Sequence, residues 1–165
     1  SHNQSNINKK IGKINAISGA AILLNMNVFN QVGGFDEKIF LFFEENDLCT
    51  RIIKKNFNIY QLNYAKIFHP KGIDKGVVEA KRENEIELKN FYGWHYMWSK
   101  FYYFKKNKLN LLAYIYFFPI LLRLSIRIIL YIVISDIKKK SKYQMRLSGL
   151  ITSMLNKESD KRIGL

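Results

Sequence analysis

A single cysteine in 165 residues excludes an internal disulfide and leaves the redox compartment open. Acidic side chains are also scarce. Thirteen Asp and Glu stand against 27 Lys and Arg, for a formal net charge of +14. The deficit is uneven: residues 1–80 carry ten basic and seven acidic groups, whereas residues 81–165 carry seventeen and six. A basic half joined to a near-neutral half points to a polyanionic partner, either nucleic acid or anionic lipid. No internal repeat is present. No signal-peptide pattern opens the chain either, and Ser1 to Lys10 read as a loop or a cloning remnant. Against these absences stand an apolar content of 48% and an aromatic content of 15%, which exclude wholesale disorder. The length suits one domain with a real core, and not comfortably two.

Along the chain, Ile14 to Asn25 is apolar and small, and predicts a buried strand interrupted by Ser18-Gly19-Ala20. A short helix is expected from about Asn27 to Val32, capped by Asn25 or Asn27 and stopped by Gly33. Gly33-Gly34-Phe35-Asp36 reads as a turn. Residues 39–43 form an apolar run that leads into Glu44-Glu45-Asn46-Asp47. From Asp47 to Lys55 the spacing is helical, with acids at the start and Lys54-Lys55 at the end. Ile59-Tyr60-Gln61-Leu62 and Lys66-Ile67-Phe68 read as two short strands, followed by His69-Pro70-Lys71-Gly72. The pattern of residues 1–80 is mixed α/β. Beyond it, residues 81–165 predict a helical extension. Glu83 to Lys106 is helical and dense in aromatics, Leu109 to Ile134 is strongly apolar, and a short amphipathic stretch spans Met145 to Leu155.

Three carboxylates in four residues, Glu44, Glu45 and Asp47, follow directly on the apolar run. Helix capping alone would account for them, through stabilisation of about 1 kcal/mol or less. Their place at the end of an apolar strand, residues 39–43, beside a glycine turn also suits a carboxylate held against a substrate. A general base for a sugar hydroxyl needs a carboxylate fixed within hydrogen-bond reach of that hydroxyl.

The ordered series Ser18-Gly19-Ala20-Ala21, Val28-Phe29, Val32-Gly33-Gly34-Phe35-Asp36-Glu37 and Phe40 to Leu48 resembles the carboxy-terminal motifs of family 2 glycosyltransferases. It is most similar to the rhamnosyltransferase-like branch that builds bacterial surface polysaccharides. The resemblance implies the carboxy-terminal half of a type A α/β fold and an inverting transfer from a nucleotide sugar to a glycan or lipid-linked acceptor. In the family the acidic pair is usually Glu-Asp, and its second member is the base. That position is Glu45 here, with Glu44 beside it able to make the same contact. Asp47 matches a further acid with a structural or acceptor-binding role. Gly19, Ala20, Gly33 and Gly34 would line the substrate side of the cleft. Phe68-His69-Pro70-Lys71-Gly72 resembles the element that helps bind the metal and diphosphate, with His69 as a ligand to Mg2+ or Mn2+ and Lys71 offsetting phosphate charge. A lone histidine after a strand is otherwise a packed or surface residue.

The segment around Trp94, His95 and Trp98 also resembles one found downstream in this branch and is a candidate for substrate contact. Aromatics at helical spacing are more commonly core. The family's amino-terminal half, with its nucleotide-binding strands and acidic metal motif, has no counterpart, since no Asp-x-Asp occurs in the sequence. The expectation is therefore one part of an enzyme that would not turn over alone and whose nucleotide-binding half lies elsewhere in the gene or in a separate chain. The rival reading is a non-catalytic membrane-docking or assembly subunit derived from such an enzyme.

The longest charge-free run in the tail, Leu109 to Leu122, is shorter than the roughly 20 apolar residues of a membrane span, and Pro119 is expected to bend it. Arg123, Arg127, Tyr131 and Ser135 predict a polar stripe on an otherwise apolar helix. Such a helix suits the membrane interface, with its arginines and Lys138-Lys139-Lys140 at anionic head groups. A span with snorkelling arginines and a soluble bundle are the alternatives. Nucleic acid would explain the charge without the apolar stripe, and no nucleic-acid motif is present. The expected location is the cytoplasmic face of the inner membrane, held peripherally.

Overall fold

The computed structural model describes residues 11–68, 85–108 and 110–162. They form two compact units: Ser1–Asp36 with Glu44–Lys75, and Glu37–Phe43 with Gly76–Leu165. The described residues are mostly helical, with a single two-stranded sheet.

In the first unit, β1 (Ile11–Ile14) pairs antiparallel with β2 (Ile59–Leu62), with Ile11 opposite Leu62 and Ile14 opposite Ile59. Between them lie α1 (Met26–Val32) and α2 (Glu44–Lys54). Local chemistry sets both ends of α1. The Asn25 Oδ1 accepts from the backbone N–H of Asn27 at 3.0 Å and of Val28 at 3.4 Å. At the other end Gly33 and Gly34 both take positive φ, 85° and 68°, which glycine adopts without a Cβ penalty. Helix α2 carries Glu44, Glu45 and Asp47 in its first turn and Arg51 and Lys54 in its last, so both ends complement its dipole. Its inner face buries Leu48 and Cys49 completely.

Three strand expectations fail here, each for a visible reason. The stretch predicted as a strand from Ile14 to Asn25 pairs only through Ile14 and then runs irregularly, because Gly19-Ala20 makes a turn. The Ser18 hydroxyl takes the Ala20 N–H at 3.4 Å. Residues 66–68 are not extended against any neighbour, and Phe68 is 92% exposed. Residues 39–43 form an irregular segment in which Phe42 and Phe43 both sit in the left-handed region, at φ 66° and 69°.

The second unit is built on α3 (Glu85–Asn107), α4 (Asn110–Val133) and α5 (Ile137–Met154). Its core contains Met97, Phe101, Ala113, Phe117, Leu124, Tyr143 and Leu150. On α4 the inward positions 113, 117, 120, 121, 124 and 128 recur every three or four residues, as one face of a helix must. The helix continues through Pro119. Helices α3 and α5 cross closely at Gly149, where an added Cβ would stand 2.2 Å from the Trp94 carbonyl oxygen. Residues 37–43 belong to this unit through their aromatic rings. Phe42 meets Tyr92 and Tyr96 edge-on, Phe43 stacks on Tyr103 at 5.5 Å, and Ser99 Oγ donates to the Leu41 carbonyl at 2.7 Å. These contacts hold two left-handed phenylalanines that cost roughly 1–2 kcal/mol each.

Arg127 departs from the polar stripe expected of α4. Its guanidinium donates to the Tyr143 hydroxyl at 2.5 Å and lies over the Tyr143 ring, while Tyr131 stacks on the same ring at 5.4 Å. Arg123 alone of the pair is exposed.

Candidate active site around Glu45

The first unit brings together the segment 15–20 and the opening turn of α2. A Cβ added at Gly19 would lie 3.9 Å from the Glu45 carboxyl carbon, so this backbone passes directly beside the carboxylate. One turn further along α2, Cys49 is fully buried and its sulfur takes a hydrogen bond from the backbone N–H of Ile17. Residues 45 and 49 thus hold one side of the turn at Gly19-Ala20 against α2, as i and i+4 positions on one helix face can. Burial raises the Cys49 thiol pKa, the Ile17 N–H lowers it and the Glu45 charge raises it further, so the thiol is an inert packing group.

Glu44 starts α2 with one carboxylate oxygen buried and without a hydrogen-bond partner among the described residues. Burial raises its pKa first, its own backbone N–H opposes that, and the neighbouring Glu45 charge adds to the rise. Two half-buried carboxylates thus stand side by side at one helix N-terminus, where a general base for a hydroxyl could be held.

Asp47 faces the other way. It is fully buried and accepts from Arg51 Nε at 2.7 Å, and Arg51 Nη1 reaches the Val32 carbonyl at 2.6 Å. The pair ties the end of α1 to α2 just before the Gly33-Gly34 turn, so its role is to position the two helices. Arg51 was not marked by any sequence motif. Its i+4 spacing from Asp47 was the available signal.

The other expected residues are dispersed. Gly33 and Gly34 make the stop of α1, and Ala20 lies in the turn after Ser18. His69 and Lys71 lie outside the described residues. Trp94, His95 and Trp98 are enclosed in the second unit at 3%, 0% and 2% exposure, with polar atoms engaged by the chain itself. Trp94 Nε1 donates to Ser148 Oγ at 3.2 Å and Trp98 Nε1 to the Lys157 carbonyl at 3.0 Å. His95 lies 3.0 Å from the Lys161 carbonyl through Nε2 and 3.0 Å from Ser159 Oγ through Nδ1. A carbonyl can only accept, so Nε2 carries the proton and Nδ1 accepts from the serine. Trp94 thus ties α3 to α5, His95 and Trp98 anchor the segment after α5, and all three are enclosed rather than presented to a substrate.

Among the described residues no group of three His, Cys, Asp or Glu side chains could hold a metal ion. Asp47 is committed to Arg51, and Glu44 and Glu45 lack a third ligand. The divalent ion implied by the resemblance finds no ligand set among the described residues and enters no step below.

No family model and no solved structure matches the chain. Among curated proteins it is similar to a low-salt glycan biosynthesis hexosyltransferase of Haloferax volcanii, 26% identical over 72 residues, covering 44% of this chain and 24% of that protein. It is also similar to an N-acetylglucosaminyl-diphospho-decaprenol L-rhamnosyltransferase of Mycobacterium tuberculosis, 35% identical over 60 residues, covering 36% of this chain and 20% of that protein. The matches thus span a quarter or less of the relatives' length. The chain is distantly similar to proteins named as glycosyltransferases, which suggests a part in glycan biosynthesis.

Proposed function

We propose that the chain is the acceptor-side part of an inverting glycosyltransferase of the family 2 type, with the type A fold completed by a nucleotide-binding half. Its substrates would be a nucleotide sugar and a glycan or lipid-linked acceptor of cell-surface polysaccharide synthesis. The observation that carries this reading is the Glu44-Glu45 pair at the N-terminus of α2, with Glu45 beside Gly19. The similarity to two glycosyltransferases supports the same reaction class.

In this reading the Glu45 carboxylate takes the proton of the acceptor hydroxyl as its oxygen bonds to the anomeric carbon. The bond from that carbon to the nucleoside diphosphate breaks on the opposite face, and the diphosphate leaves with the electron pair. The displacement inverts the anomeric centre. Glu44 stands beside it in the first turn of α2, and the Asp47–Arg51 pair holds α2 in place. The Gly33-Gly34 turn lies on the acceptor side, and His69 and Lys71 are proposed to face the diphosphate and its metal. The second unit would lie on the cytoplasmic face of the membrane through α4. That helix is 24 residues long, apolar along most of its length and little buried. Length and composition would let it cross a bilayer. Arg123 near its middle favours an interfacial position.

The test uses the complete gene product, including any preceding reading frame. Transfer of labelled sugar from nucleotide sugars into glycan or lipid extracts is compared for the native protein, Glu45→Gln and Glu44→Gln. Loss of about 10²–10⁴-fold in Glu45→Gln with donor binding retained is the expected result. Undiminished transfer in Glu45→Gln would remove the proposed base.

A further inference from the structure

A concave site lies in the helical unit, where α3 faces the first half of α5. It is an open pocket of about 460 Å³ with five cationic side chains on its walls: Lys89, Lys138, Lys139, Lys142 and Arg146. Phe42, Tyr92, Tyr96 and Ile86 supply the apolar part of its lining. Positions 138, 142 and 146 recur every four residues on α5, so they share one face. On α3 the pocket opens over Gly93, where an added Cβ would stand 3.3 Å from Arg146 Cγ. The missing side chain is what lets the arginine lie there.

Two of the five cations are already paired, Lys89 with Glu85 and Lys139 with Asp136 at 3.1 Å. Lys138, Lys142 and Arg146 have no ion pair among the described residues. Arg146 Nε is buried and has no hydrogen-bond partner among them either. The first turn of α5 holds no acid and places Lys138, Lys139 and Lys140 at the positive end of the helix dipole. That arrangement is unfavourable by tenths of a kcal/mol for each charge. Asp136, the N-cap, offsets part of this through Lys139, while a bound anion would offset the dipole, Lys138, Lys142 and the unpartnered Arg146 Nε together. Immediately before these lysines Ile132, Val133, Ile134 and Ile137 are all more than half exposed. An anionic group with an apolar chain attached meets both features at once, and a free anion meets only one.

We propose that this pocket binds the phosphate head group of an anionic lipid, with the lipid's chains against the exposed apolar residues at the end of α4. The inference rests on the membrane-docking part of the proposed function and gives it a head-group site. It makes no use of the transfer reaction.

Flotation of the intact chain with phosphatidylcholine vesicles, and with vesicles containing phosphatidic acid, tests both. Native protein is expected to bind the phosphatidic acid vesicles more tightly. The Lys142→Gln/Arg146→Gln double variant should lose that preference by about tenfold or more while keeping its binding to phosphatidylcholine. A control that removes two charges elsewhere, Lys55→Gln/Lys66→Gln, should keep the preference. Arg146→Lys with Lys142→Arg should retain most of it and guards against misfolding, which circular dichroism also monitors. An equal loss in the control would overturn the pocket in favour of diffuse charge. Calorimetric binding of inorganic phosphate as tight as that of the vesicles would overturn the lipid as its source. Loss of phosphatidylcholine binding in the native chain would instead count against the docking of α4.

Discussion

The carboxyl carbon of Glu45 stands 3.9 Å from the point where a side chain at residue 19 would begin. That is ordinary van der Waals contact, so an alanine fits without moving the acid. A branched side chain does not, because its next atoms must enter the carboxylate's volume. In the transfer assay Gly19→Ala should keep most activity, and Gly19→Val should lose about 10²-fold, the usual cost of a misplacement near 1 Å. Equal activity in the two variants would separate Glu45 from the reacting hydroxyl.

The Asp47–Arg51 pair invites a stability measurement. Asp47 is fully buried and Arg51 is 19% exposed, so truncating the arginine takes the ion-pair partner from an interior charge. Arg51→Met is expected to destabilise the first unit by about 3 kcal/mol in urea unfolding. The double change Asp47→Leu/Arg51→Met should recover much of that, because the interior carboxylate is then gone. A single variant as stable as the native chain would show that the pair contributes little.

Gly149 tests the crossing of α3 and α5. In an exposed helix Gly→Ala stabilises by about 1 kcal/mol. Here the new methyl would overlap the Trp94 carbonyl oxygen at 2.2 Å, and a backbone group cannot step aside as a flexible side chain can. The steric cost of about 3 kcal/mol therefore outweighs the propensity gain. Gly149→Ala should lower the unfolding midpoint clearly. Gly93→Ala meets only the Arg146 side chain at 3.3 Å and should change it little.

Sequence reading succeeded where structure is local and failed where it depends on distant partners. Asn25 and Gly33 fix α1 through atoms at most a few residues away, and the acids of α2 answer their own helix dipole. The run Ile39 to Phe43 looks like a strand because its residues are apolar. Its conformation is decided by Tyr92, Tyr96 and Tyr103, some fifty residues later. The anchor for His95 is a backbone carbonyl at Lys161, which any residue type could supply. Arg127 and Arg123 look alike on a helical wheel, and only the position of Tyr143 separates them. The Glu44-Glu45 pair was visible in the sequence, whereas its approach to Gly19 required the turn at Gly19-Ala20.

The His95 anchor should make the second unit sensitive to acid. Burial lowers the His95 pKa below 6.5, the Lys161 carbonyl opposes this, and the Arg162 and Lys161 charges lower it further, with Asp160 acting the other way. The unfolded chain thus takes up a proton near pH 6.5 that the folded chain refuses, so stability is complete above that pH and declines below it. The decline continues until pH reaches the lower, folded value. Melting temperature should fall from pH 7.5 to 5.5, and His95→Gln should flatten that slope. An unchanged slope would place the acid sensitivity elsewhere.

Membrane docking can be separated from spanning by asking what releases the protein. The outer face of α4 presents Leu112, Ile115, Phe118, Leu122, Ile126 and Ile129, each about half exposed or more, and Arg123 sits among them. Buried apolar area and basic charge would then act together at an interface, with each cation near an anionic surface worth about 1 kcal/mol. Arg123→Gln should weaken binding to anionic vesicles by roughly fivefold at low salt. Arg127→Gln should leave the electrostatic part nearly intact and lower thermal stability, because that guanidinium is spent on Tyr143. At 1 M salt the screening length shrinks to about 3 Å, so release should be partial, with the apolar face still engaged. Ile115→Glu with Ile126→Glu should abolish what salt leaves. A span would resist salt and the arginine change alike and come away only in detergent. A soluble bundle would never float with vesicles. Salt-resistant association that needs detergent is the result that would overturn the interfacial reading.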